Sequence, residues 1–332
     1  MNVFLVTSPF QYICANEARI AYQTQDNILI LIEQDNPTGQ RQMAALVQEH
    51  DWKKVLRFPR NKRTSVTPKI IKEVQRLSEE QLDTLFYSEY NAWRSKLIIR
   101  NLSFKKHVFF DDGTMTFFDY YDHIEPKSVY YRPRLIQDIQ LRLQGIKPIG
   151  HLGFFENTEI FSIFDFPDCV TSYRENKLTT LQYHESLDAE QRSESYVFIG
   201  QGCIDEKGRI SLHEYLNLIT LASQQASTSL IYIPHRTEAS HVSEHVKKIP
   251  NLIYHQSQFP IELELVEQGI KPSCIIGLSS TALYTLSKIY PDATIRLISQ
   301  FPTSTAARDL RIYNYLQNYF TQRTQEEKYY EI

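Results

Sequence analysis

Short apolar runs alternate with helical segments along this chain, and this alternation limits the possible folds more than any other feature. The runs at residues 3–6 and 28–32 are apolar throughout, and the run at 107–110 is apolar after His107, instead of alternating with polar residues. Continuous apolar strands separated by helices are typical of parallel sheets covered on both faces. We therefore predict an α/β fold built from doubly wound sheets.

The alternation is interrupted between about residues 132 and 169, where Phe and turn residues dominate, and a second α/β series starts near residue 195. A length of 332 residues also suggests two domains, each able to bury its own core. We predict an N-terminal Rossmann-like domain over residues 1–155 and a C-terminal one over residues 156–305. The charged segment from about 306 to 330 is predicted as an amphipathic helix.

Net charge and cysteine spacing exclude several classes of protein. There are 36 Lys and Arg against 39 Asp and Glu, a net charge of −3, and no nucleic-acid recognition motif is visible. We therefore expect no nucleic-acid partner. The four cysteines are far apart in the sequence, without a CxxC pair, which disfavours a zinc site or a disulfide framework.

The sequence predicts a cytoplasmic protein. The N-terminal segment lacks the basic start, apolar core and small-residue cleavage site of a signal peptide, and no apolar stretch approaches the ~20 residues of a membrane span. Six cations lie between Lys53 and Arg63. This stretch is either a solvated loop or a contact for an anionic acceptor or the cytoplasmic leaflet. Peripheral contact with the inner membrane and a homodimer both stay open.

Two adjacent carboxylates directly follow a predicted strand. Asp111 and Asp112 come after the run at 107–110, and Gly113 permits a sharp turn out of the strand. A carboxylate at this edge suits a general base or a metal ligand, although an ordinary Asx turn would use the same residues. Divalent sites gather more carboxylates than are visible here, so we expect no metal.

Two further polar clusters follow strands in the second half. His235 and Arg236 form a cationic corner after the run at 229–233, which suits a phosphate, although a lone His is often only structural. Ser279, Ser280 and Thr281 precede an apolar helix, whose N-terminus can bind an anion. Helix capping would explain one of these hydroxyls but not all three.

Two weaker candidates complete the set. Gly200 and Gln201 follow the run at 195–199 and only loosely resemble a nucleotide-binding turn. Glu262 lies in the first turn of a predicted helix, where it either complements the helix dipole or accepts hydrogen bonds from a ribose diol. Every cluster follows a predicted strand or opens a helix, as ligand-binding residues of open α/β sheets do.

Taken in order, these motifs resemble the signatures of bacterial sialyltransferases. The segments are FFDDG, then PHR, FPIE and GLSSTAL, and the opening TSPFQ is similar to the start of the lipooligosaccharide-type sialyltransferases of glycosyltransferase family 52. The likeness extends from Thr7 to about Leu283. One departure is that the His-Pro pair of those enzymes is His235-Arg236 here, with Pro234 on the other side.

The resemblance implies a GT-B fold, in which two Rossmann-like domains face a central cleft and the C-terminal helix crosses back to the first. It implies transfer of sialic acid from CMP-sialic acid, with inversion and without a metal or other cofactor, to a terminal sugar of lipooligosaccharide or capsule. Asp112 would be the general base, with Asp111 beside it, and His235 would assist the leaving phosphate. Residues implied in CMP-sugar binding are Glu262, Ser279, Ser280, Thr281, Gly200, Gln201, Arg236 and Gln11.

Three other functions are compatible with the residues. Another CMP-activated nonulosonic acid, or Kdo, would use the same donor site. A nucleotide-sugar epimerase of the same fold would bind a UDP-sugar and need no acceptor. A non-catalytic scaffold for polysaccharide assembly would bind a glycan and release no CMP.

Overall fold

The computed structural model of the protein describes residues 1–78, 81–166, 168–182, 193–207, 209–298, 307–323 and 329–331. The chain divides into two compact units, Met1–Lys177 and Leu178–Ile332. Each unit contains one sheet, and every strand pairing within the two sheets is parallel. The predicted α/β class is confirmed.

The first unit is built on a seven-stranded sheet of order β3-β2-β1-β4-β5-β6-β7. Its strands are β1 (Asn2–Val6), β2 (Asn27–Ile32), β3 (Lys54–Phe58), β4 (Leu82–Tyr87), β5 (Phe104–Phe110), β6 (Thr158–Ser162) and β7 (Ser172–Glu175). Its helices are α1 (Pro9–Ala21), α2 (Pro37–Leu46), α3 (Arg63–Leu77), α4 (Trp93–Asn101), α5 (Met115–Asp119) and α6 (Leu135–Leu143). A 3₁₀ turn at Glu49–Asp51 and a π-helical turn at Tyr120–Ile124 complete it.

The start of α1 follows from its sequence. Ser8 has an extended backbone and its side chain accepts a hydrogen bond from the N–H of Gln11, while Pro9 occupies the first turn, where no N–H is needed. Aromatic side chains pack between neighbouring strands of the sheet: Phe4 of β1 stacks on Phe86 of β4 at 4.2 Å between ring centroids. The Trp52 ring meets Phe4 edge-on.

The second unit is built on a six-stranded sheet of order β10-β9-β8-β11-β12-β13. Its strands are β8 (Ser193–Ile199), β9 (Leu230–Ile233), β10 (Leu252–Tyr254), β11 (Ile270–Gly277), β12 (Thr294–Leu297) and β13 (Tyr329–Glu331). Its helices, numbered onward along the chain, are α7 (Leu212–Gln225), α8 (Ser240–Val246), α9 (Ile261–Glu267), α10 (Thr281–Ile289) and α11 (Ala307–Arg323).

Each sheet has one point where the direction of strand addition reverses. In the first sheet it lies between β1 and β4, and in the second between β8 and β11. Open α/β sheets bind ligands at the carboxyl ends of the strands on either side of such a point. Gln11 and Asp112 in the first unit, and Gly200, His235 and Ser279 in the second, follow strands at or beside these points.

Two sequence-based boundaries differ from the structure. The division between units falls after Lys177 and not at residue 155, because β6 and β7 pair in register onto β5 and extend the first sheet. The predicted helix at 306–330 was wrong at its C-terminal end. The helix α11 ends at Arg323, and β13 pairs with β12 at the edge of the second sheet.

Candidate functional site

The strands β1, β4 and β5 end at one edge of the first sheet. Leu5 pairs with Tyr87, and Tyr87 pairs with Phe109, so the three strands stop nearly level. The residues that follow them, among them Thr7 and Asp111, therefore emerge side by side. This edge carries the predicted carboxylates.

Asp111 is fully buried and is bonded to the neighbouring strand. Its Oδ2 accepts the backbone N–H of Ile163 at 2.7 Å, and its Oδ1 accepts the Ser162 hydroxyl at 2.6 Å. These bonds fasten the end of β5 to the end of β6. A buried N–H without an acceptor is costly, so the contact gives Asp111 a structural role.

Asp112 is half-buried and is held by a side chain from α1. The Nε2 of Gln11 donates to Asp112 Oδ1 at 2.6 Å, while the Oε1 of Gln11 accepts the N–H of Thr7 at 2.7 Å. Gln11 is 1% exposed, so its amide is fixed in orientation. Gly113 has a φ of 61°, a conformation that favours glycine, and turns the chain sharply after the carboxylate. The structure thus brings two predicted residues, Gln11 and Asp112, into contact.

Cationic and acidic groups surround Thr7, and of these the sequence analysis included only Arg60, as part of the basic stretch at 53–63. Nη1 of Arg60 donates to the Thr7 carbonyl at 3.0 Å, and the Thr7 hydroxyl donates to Glu89 at 3.2 Å. Glu89 has a φ of 52°, which is unusual for a residue with a side chain. Arg94 is buried, and burial lowers its pKa to about 10 against the opposing effect of Glu89. Sequence spacing gives no signal for this cluster.

A third carboxylate, Asp119, lies within the electrostatic influence of Asp112. Asp119, at the end of α5, accepts the N–H of Tyr90 at 2.7 Å and that of Asn91 at 3.3 Å. Burial, and to a smaller extent the charge of Asp112, raises the pKa of Asp119 to about 7. Lys96 Nζ lies 3.5 Å from the centroid of the Tyr90 ring, and burial lowers its pKa to about 8. These groups order the loop after β4 against the segment that carries Asp112.

In the second unit the strands β8, β9 and β11 end together. Ile199 of β8 pairs with Ile233 of β9 on one side and with Gly277 of β11 on the other. The segments after these strands contain the predicted Gly200, His235 and Ser279. The second unit therefore gathers its candidate residues at one sheet edge, as parallel pairing predicts.

Gly200 and Gly202 allow the His235 segment to pack against the end of β8. A Cβ at residue 200 would lie 2.8 Å from three atoms, namely the backbone N of His235, the carbonyl O of Ile233 and the hydroxyl of Tyr232. A Cβ at residue 202 would lie 2.8 Å from the Nδ1 of His235. Gly200 is thus required by the close approach of backbone atoms, and the GQG turn packs against the PHR corner.

His235 is exposed and its ring is oriented by Thr237. The backbone N–H of Thr237 donates to His235 Nδ1 at 3.2 Å, and the Thr237 hydroxyl lies 2.8 Å from the same atom. Because a backbone N–H can only donate, the proton of the neutral ring is assigned to Nε2. Desolvation of the ring, and secondarily the charge of Arg236, lowers the pKa of His235. The neutral ring can therefore donate from Nε2 to an anion.

The three hydroxyls at the start of α10 have different environments. Ser280 is the N-cap, and its Oγ accepts the N–H of Leu283 at 3.2 Å. The Oγ of Ser279 is buried and has no hydrogen-bond partner among the described residues. Thr281 is the first helical residue. Capping accounts for Ser280, whereas the unsatisfied Ser279 hydroxyl favours an additional polar partner.

Glu262 and Glu264 both lie in the first turn of α9, but their contacts differ. Glu264 is fully buried and accepts the N–H groups of Gln258 at 2.8 Å and Phe259 at 2.6 Å. Glu262 is 4% exposed and accepts the Thr285 hydroxyl at 3.1 Å. Burial raises the pKa of Glu262, while the charge of Arg236 acts in the opposite direction. The structure thus places Glu262 within the field of the predicted Arg236.

A buried network of hydroxyls supports the loops of the second unit and was missed by sequence analysis. The N–H of Gln201 donates to the Tyr215 hydroxyl at 3.0 Å, and that hydroxyl lies 2.9 Å from the Tyr232 hydroxyl. Tyr232 in turn donates to Glu238, a carboxylate also bonded by Tyr254 at 2.9 Å. Burial raises the pKa of Glu238 and of the three tyrosines. Such a satisfied network rigidifies the loops above it.

Two findings concern metal and thiol chemistry. Among the described residues, no group of three or more His, Cys, Asp or Glu side chains converges as metal ligands do. Among the described residues, Cys14, Cys169, Cys203 and Cys274 form no disulfide bond.

A protein-family model matches nearly the whole chain. The family model described as Alpha-2,8-polysialyltransferase (POLYST) matches residues 2–299. None of the curated proteins is similar enough in sequence to count as a match. The expectation of a bacterial sialyltransferase is therefore confirmed at the level of this family, while the likeness to the lipooligosaccharide-type enzymes stays a resemblance of motifs.

Solved structures share the fold. An α/β-galactoside α2,3-sialyltransferase from the luminous marine bacterium Photobacterium phosphoreum has a TM-score of 0.56 at 12% identity, over 99% of this chain and 97% of that one. A 2,6-sialyltransferase from Photobacterium sp. JT-ISH-224, in a complex with CMP and lactose, has a TM-score of 0.52 at 11% identity, over 99% and 78%. The Methanocaldococcus jannaschii UDP-GlcNAc 2-epimerase reaches 0.50 at 11% identity, over 99% and 94%. The predicted GT-B class is confirmed, and at these identities the likeness concerns the fold alone.

Proposed function

The chain belongs to the Alpha-2,8-polysialyltransferase family, and from this premise we propose that it transfers sialic acid from CMP-sialic acid to a hydroxyl of a surface glycan, with inversion and without a metal. The observation that carries the proposal is the gathering of Gly200, His235 and the N-terminus of α10 at one edge of the second sheet. These groups suit a nucleotide monophosphate.

The second unit would bind the CMP part of the donor. The N–H groups and hydroxyls at the start of α10 would hold the phosphate, helped by the dipole of the helix. Nε2 of His235 would donate a hydrogen bond to it, and Arg236 would add a positive charge. Glu262, beside Arg236, would accept hydrogen bonds from the ribose hydroxyls. Gly200, which has no side chain, and Gln201 would line the site.

The first unit would supply the base. The acceptor oxygen forms a bond to the anomeric carbon, the bond from that carbon to the phosphate oxygen breaks, and the acceptor proton passes to Asp112. CMP leaves with the electron pair of the broken bond. Gln11 fixes the orientation of the Asp112 carboxylate, which would take the proton of the acceptor hydroxyl.

Charge stabilisation explains why a metal is not needed in this proposal. The transition state is oxocarbenium-like at the sugar and negative at the departing phosphate. A helix N-terminus, an oriented imidazole and a guanidinium supply positive potential to that phosphate. These groups take the role that a divalent cation has in other nucleotide-sugar enzymes.

The family name narrows the acceptor. Within the proposal, the attacking hydroxyl belongs to the terminal sialic acid of a growing α2,8-linked chain, and not to a neutral lipooligosaccharide sugar. Such an acceptor is anionic. Arg60, which contacts the Thr7 carbonyl beside Gln11, offers a cation at the edge where that acceptor would approach.

The test is a transfer assay with purified full-length protein, CMP-sialic acid and a short oligosialic acid acceptor, run in excess EDTA. We expect acceptor-dependent release of CMP and lengthening of the acceptor, seen by mass spectrometry. Thermal stabilisation by CMP, compared with UDP and GDP, reports the donor site independently.

Each alternative has its own outcome. Stabilisation by UDP and not CMP would replace the proposal with an epimerase. CMP binding without any release of CMP from the donor in the presence of acceptor would indicate a scaffold. Activity lost in EDTA and restored by a divalent cation would refute metal independence alone. Preference for another CMP-nonulosonic acid or CMP-Kdo would change the donor and keep the reaction class.

A further inference from the structure

One helix of the first unit turns its apolar side chains towards solvent. In α6, Leu135 is 79% exposed, Ile136 72%, Ile139 57% and Leu143 83%. Residues 135, 139 and 143 are four apart and residue 136 lies beside them, so the four side chains form one stripe along the helix. We call this stripe the α6 surface. In an ordinary surface helix the apolar stripe faces the core.

Exposure of this kind is concentrated in one part of the sequence. Among the described residues, eleven large hydrophobic side chains are exposed, and six of them lie between Val129 and Leu143. Two of these, Val129 at 60% and Tyr131 at 56%, lie in the segment that leads into α6. Single exposed apolar residues are normal, whereas a contiguous group marks an interaction surface.

Cations flank the α6 surface. Arg132 and Arg134 precede the helix, Arg142 is an exposed residue within it, and Lys62, at the start of α3, lines one groove together with Leu143. Asp138 is the acidic residue of α6 and is half-buried. Within the part of the chain that the structure describes, Lys62, Arg132 and Arg142 form no ion pair with a carboxylate.

The basic stretch at 53–63 has two different halves. Lys53 pairs with Asp26 at 2.9 Å, Lys54 with Glu73 at 3.3 Å and Arg57 with Glu49 at 2.9 Å. These three cations are matched by carboxylates of the protein. Lys62 instead lies near α6, where it lines a groove with Leu143. The C-terminal end of the basic stretch therefore places positive charge beside the exposed apolar side chains.

We propose that the α6 surface binds an anionic lipid surface, with its apolar side chains inserted at the boundary of headgroups and acyl chains and its cations on the lipid headgroups. An apolar stripe flanked by Lys and Arg is the arrangement of helices that lie in a membrane interface. No helix among the described residues has the length and apolarity to cross a membrane, so such contact would be peripheral. The proposal does not depend on the transfer reaction.

A second copy of the chain fits this surface less well. At ~1.5 Å per residue, the nine residues of α6 extend for about 14 Å, whereas a stable protein interface buries about 800 Å² on each partner. Pairing two copies through α6 would also bring like-charged arginines together. An anionic bilayer accommodates both the small apolar area and the surrounding positive charge.

The test is sedimentation of the full-length protein with vesicles of phosphatidylcholine alone and of an equal mixture of phosphatidylcholine and phosphatidylglycerol. We expect binding to the anionic vesicles. The double variant Ile136→Asp with Ile139→Asp should bind them at least about tenfold more weakly, because two inserted side chains become charged. The substituted side chains are exposed, so the fold should be retained.

A matched control uses exposed apolar residues of the other unit. Leu221 is 47% exposed and Ile253 is 53% exposed, and the double variant Leu221→Asp with Ile253→Asp should bind like the wild type. Arg142→Gln should weaken binding to the anionic vesicles only. CMP release with a soluble acceptor should be the same in all these variants.

Three outcomes would overturn the proposal. The first is wild-type protein that does not bind the anionic vesicles. The second is an α6 double variant that binds as tightly as the control. The third is a dimer, measured by analytical ultracentrifugation without lipid, that the α6 double variant dissociates, because the surface would then belong to a second copy.

Discussion

Each unit has a pair of neighbouring carboxylates at its candidate site. In each pair, one carboxylate has a structural role and the other is a candidate for binding or catalysis. Asp111 and Asp112 follow a strand of the first unit, whereas Glu262 and Glu264 open a helix of the second. One member of each pair is fully buried and accepts backbone N–H groups. All four carboxylates also have a side-chain partner: Ser162 for Asp111, His255 for Glu264, Gln11 for Asp112 and Thr285 for Glu262.

The difference lies in how much water reaches the second carboxylate. Asp112 is half-buried, while Glu262 is 4% exposed and burial raises its pKa. A base must meet a hydroxyl that arrives with the acceptor, so it needs an open face. A carboxylate that recognises a ribose gains from a dry environment, where hydrogen bonds are stronger. Solvent exposure thus assigns the two units different tasks in the proposed reaction.

The largest expected effect comes from removing the proposed base. Asp112→Asn keeps the size of the side chain and an oxygen for Gln11 but cannot take the acceptor proton, so the transfer rate should fall about 10²- to 10⁴-fold. The variant should bind CMP like the wild type, because Asp112 lies in the other unit from the proposed CMP site. Single-turnover transfer and a CMP titration measure the two quantities. A fully active Asp112→Asn variant would remove the base assignment.

The next largest effect should come from replacing the two fully buried carboxylates, and it should lower local stability without removing a catalytic group. Asp111→Ala leaves the buried backbone N–H of Ile163 without an acceptor, at a cost of about 1–3 kcal/mol. Glu264→Ala removes the acceptor of two part-buried N–H groups, those of Gln258 and Phe259, at a smaller cost for each. Hydrogen exchange should therefore speed up at Ile163 in the first variant and at Gln258 and Phe259 in the second. Peptide-level exchange with mass spectrometry detects this.

Exposed carboxylates provide the controls for that experiment. Glu125→Ala in the first unit and Glu267→Ala on α9 should leave exchange unchanged, because both residues are exposed. Unchanged exchange in Asp111→Ala would mean that Asp111 is not a structural carboxylate, and the proposed contrast with Asp112 would fail.

Much of the fold follows from local sequence. The continuous apolar runs predicted both parallel sheets, and strand ends located Asp111, Asp112, His235 and Gly277 correctly, because parallel strands bring their carboxyl ends to one edge. The predicted boundary at residue 155 came too early because β6 and β7 are short and separated by irregular chain. Their pairing with β5 is a tertiary contact that periodicity does not contain.

The supporting contacts could not be predicted in the same way. Gln11 and Asp112 are 101 residues apart, and Asp111 and Ile163 are 52 apart. Sequence identified Gln11 only through its motif, and it did not separate the two aspartates, since adjacent residues differ in partners that only folding supplies. Arg60 was visible within the basic stretch, but its bond to Thr7 was not.

The smallest expected effect is that of replacing Gly200, which lies in a crowded turn. Gly153, which has open space around it, provides the comparison. In Gly200→Ala the added Cβ would meet two backbone atoms and a buried hydroxyl at 2.8 Å, so the His235 segment must move. Overpacking of this kind costs about 1–3 kcal/mol, and CMP affinity should fall about tenfold. Gly153→Ala, which has nothing within 4 Å of its new Cβ, should bind CMP unchanged. Equal CMP affinity in both variants, measured by calorimetry, would show that the packing of His235 against β8 does not shape the donor site.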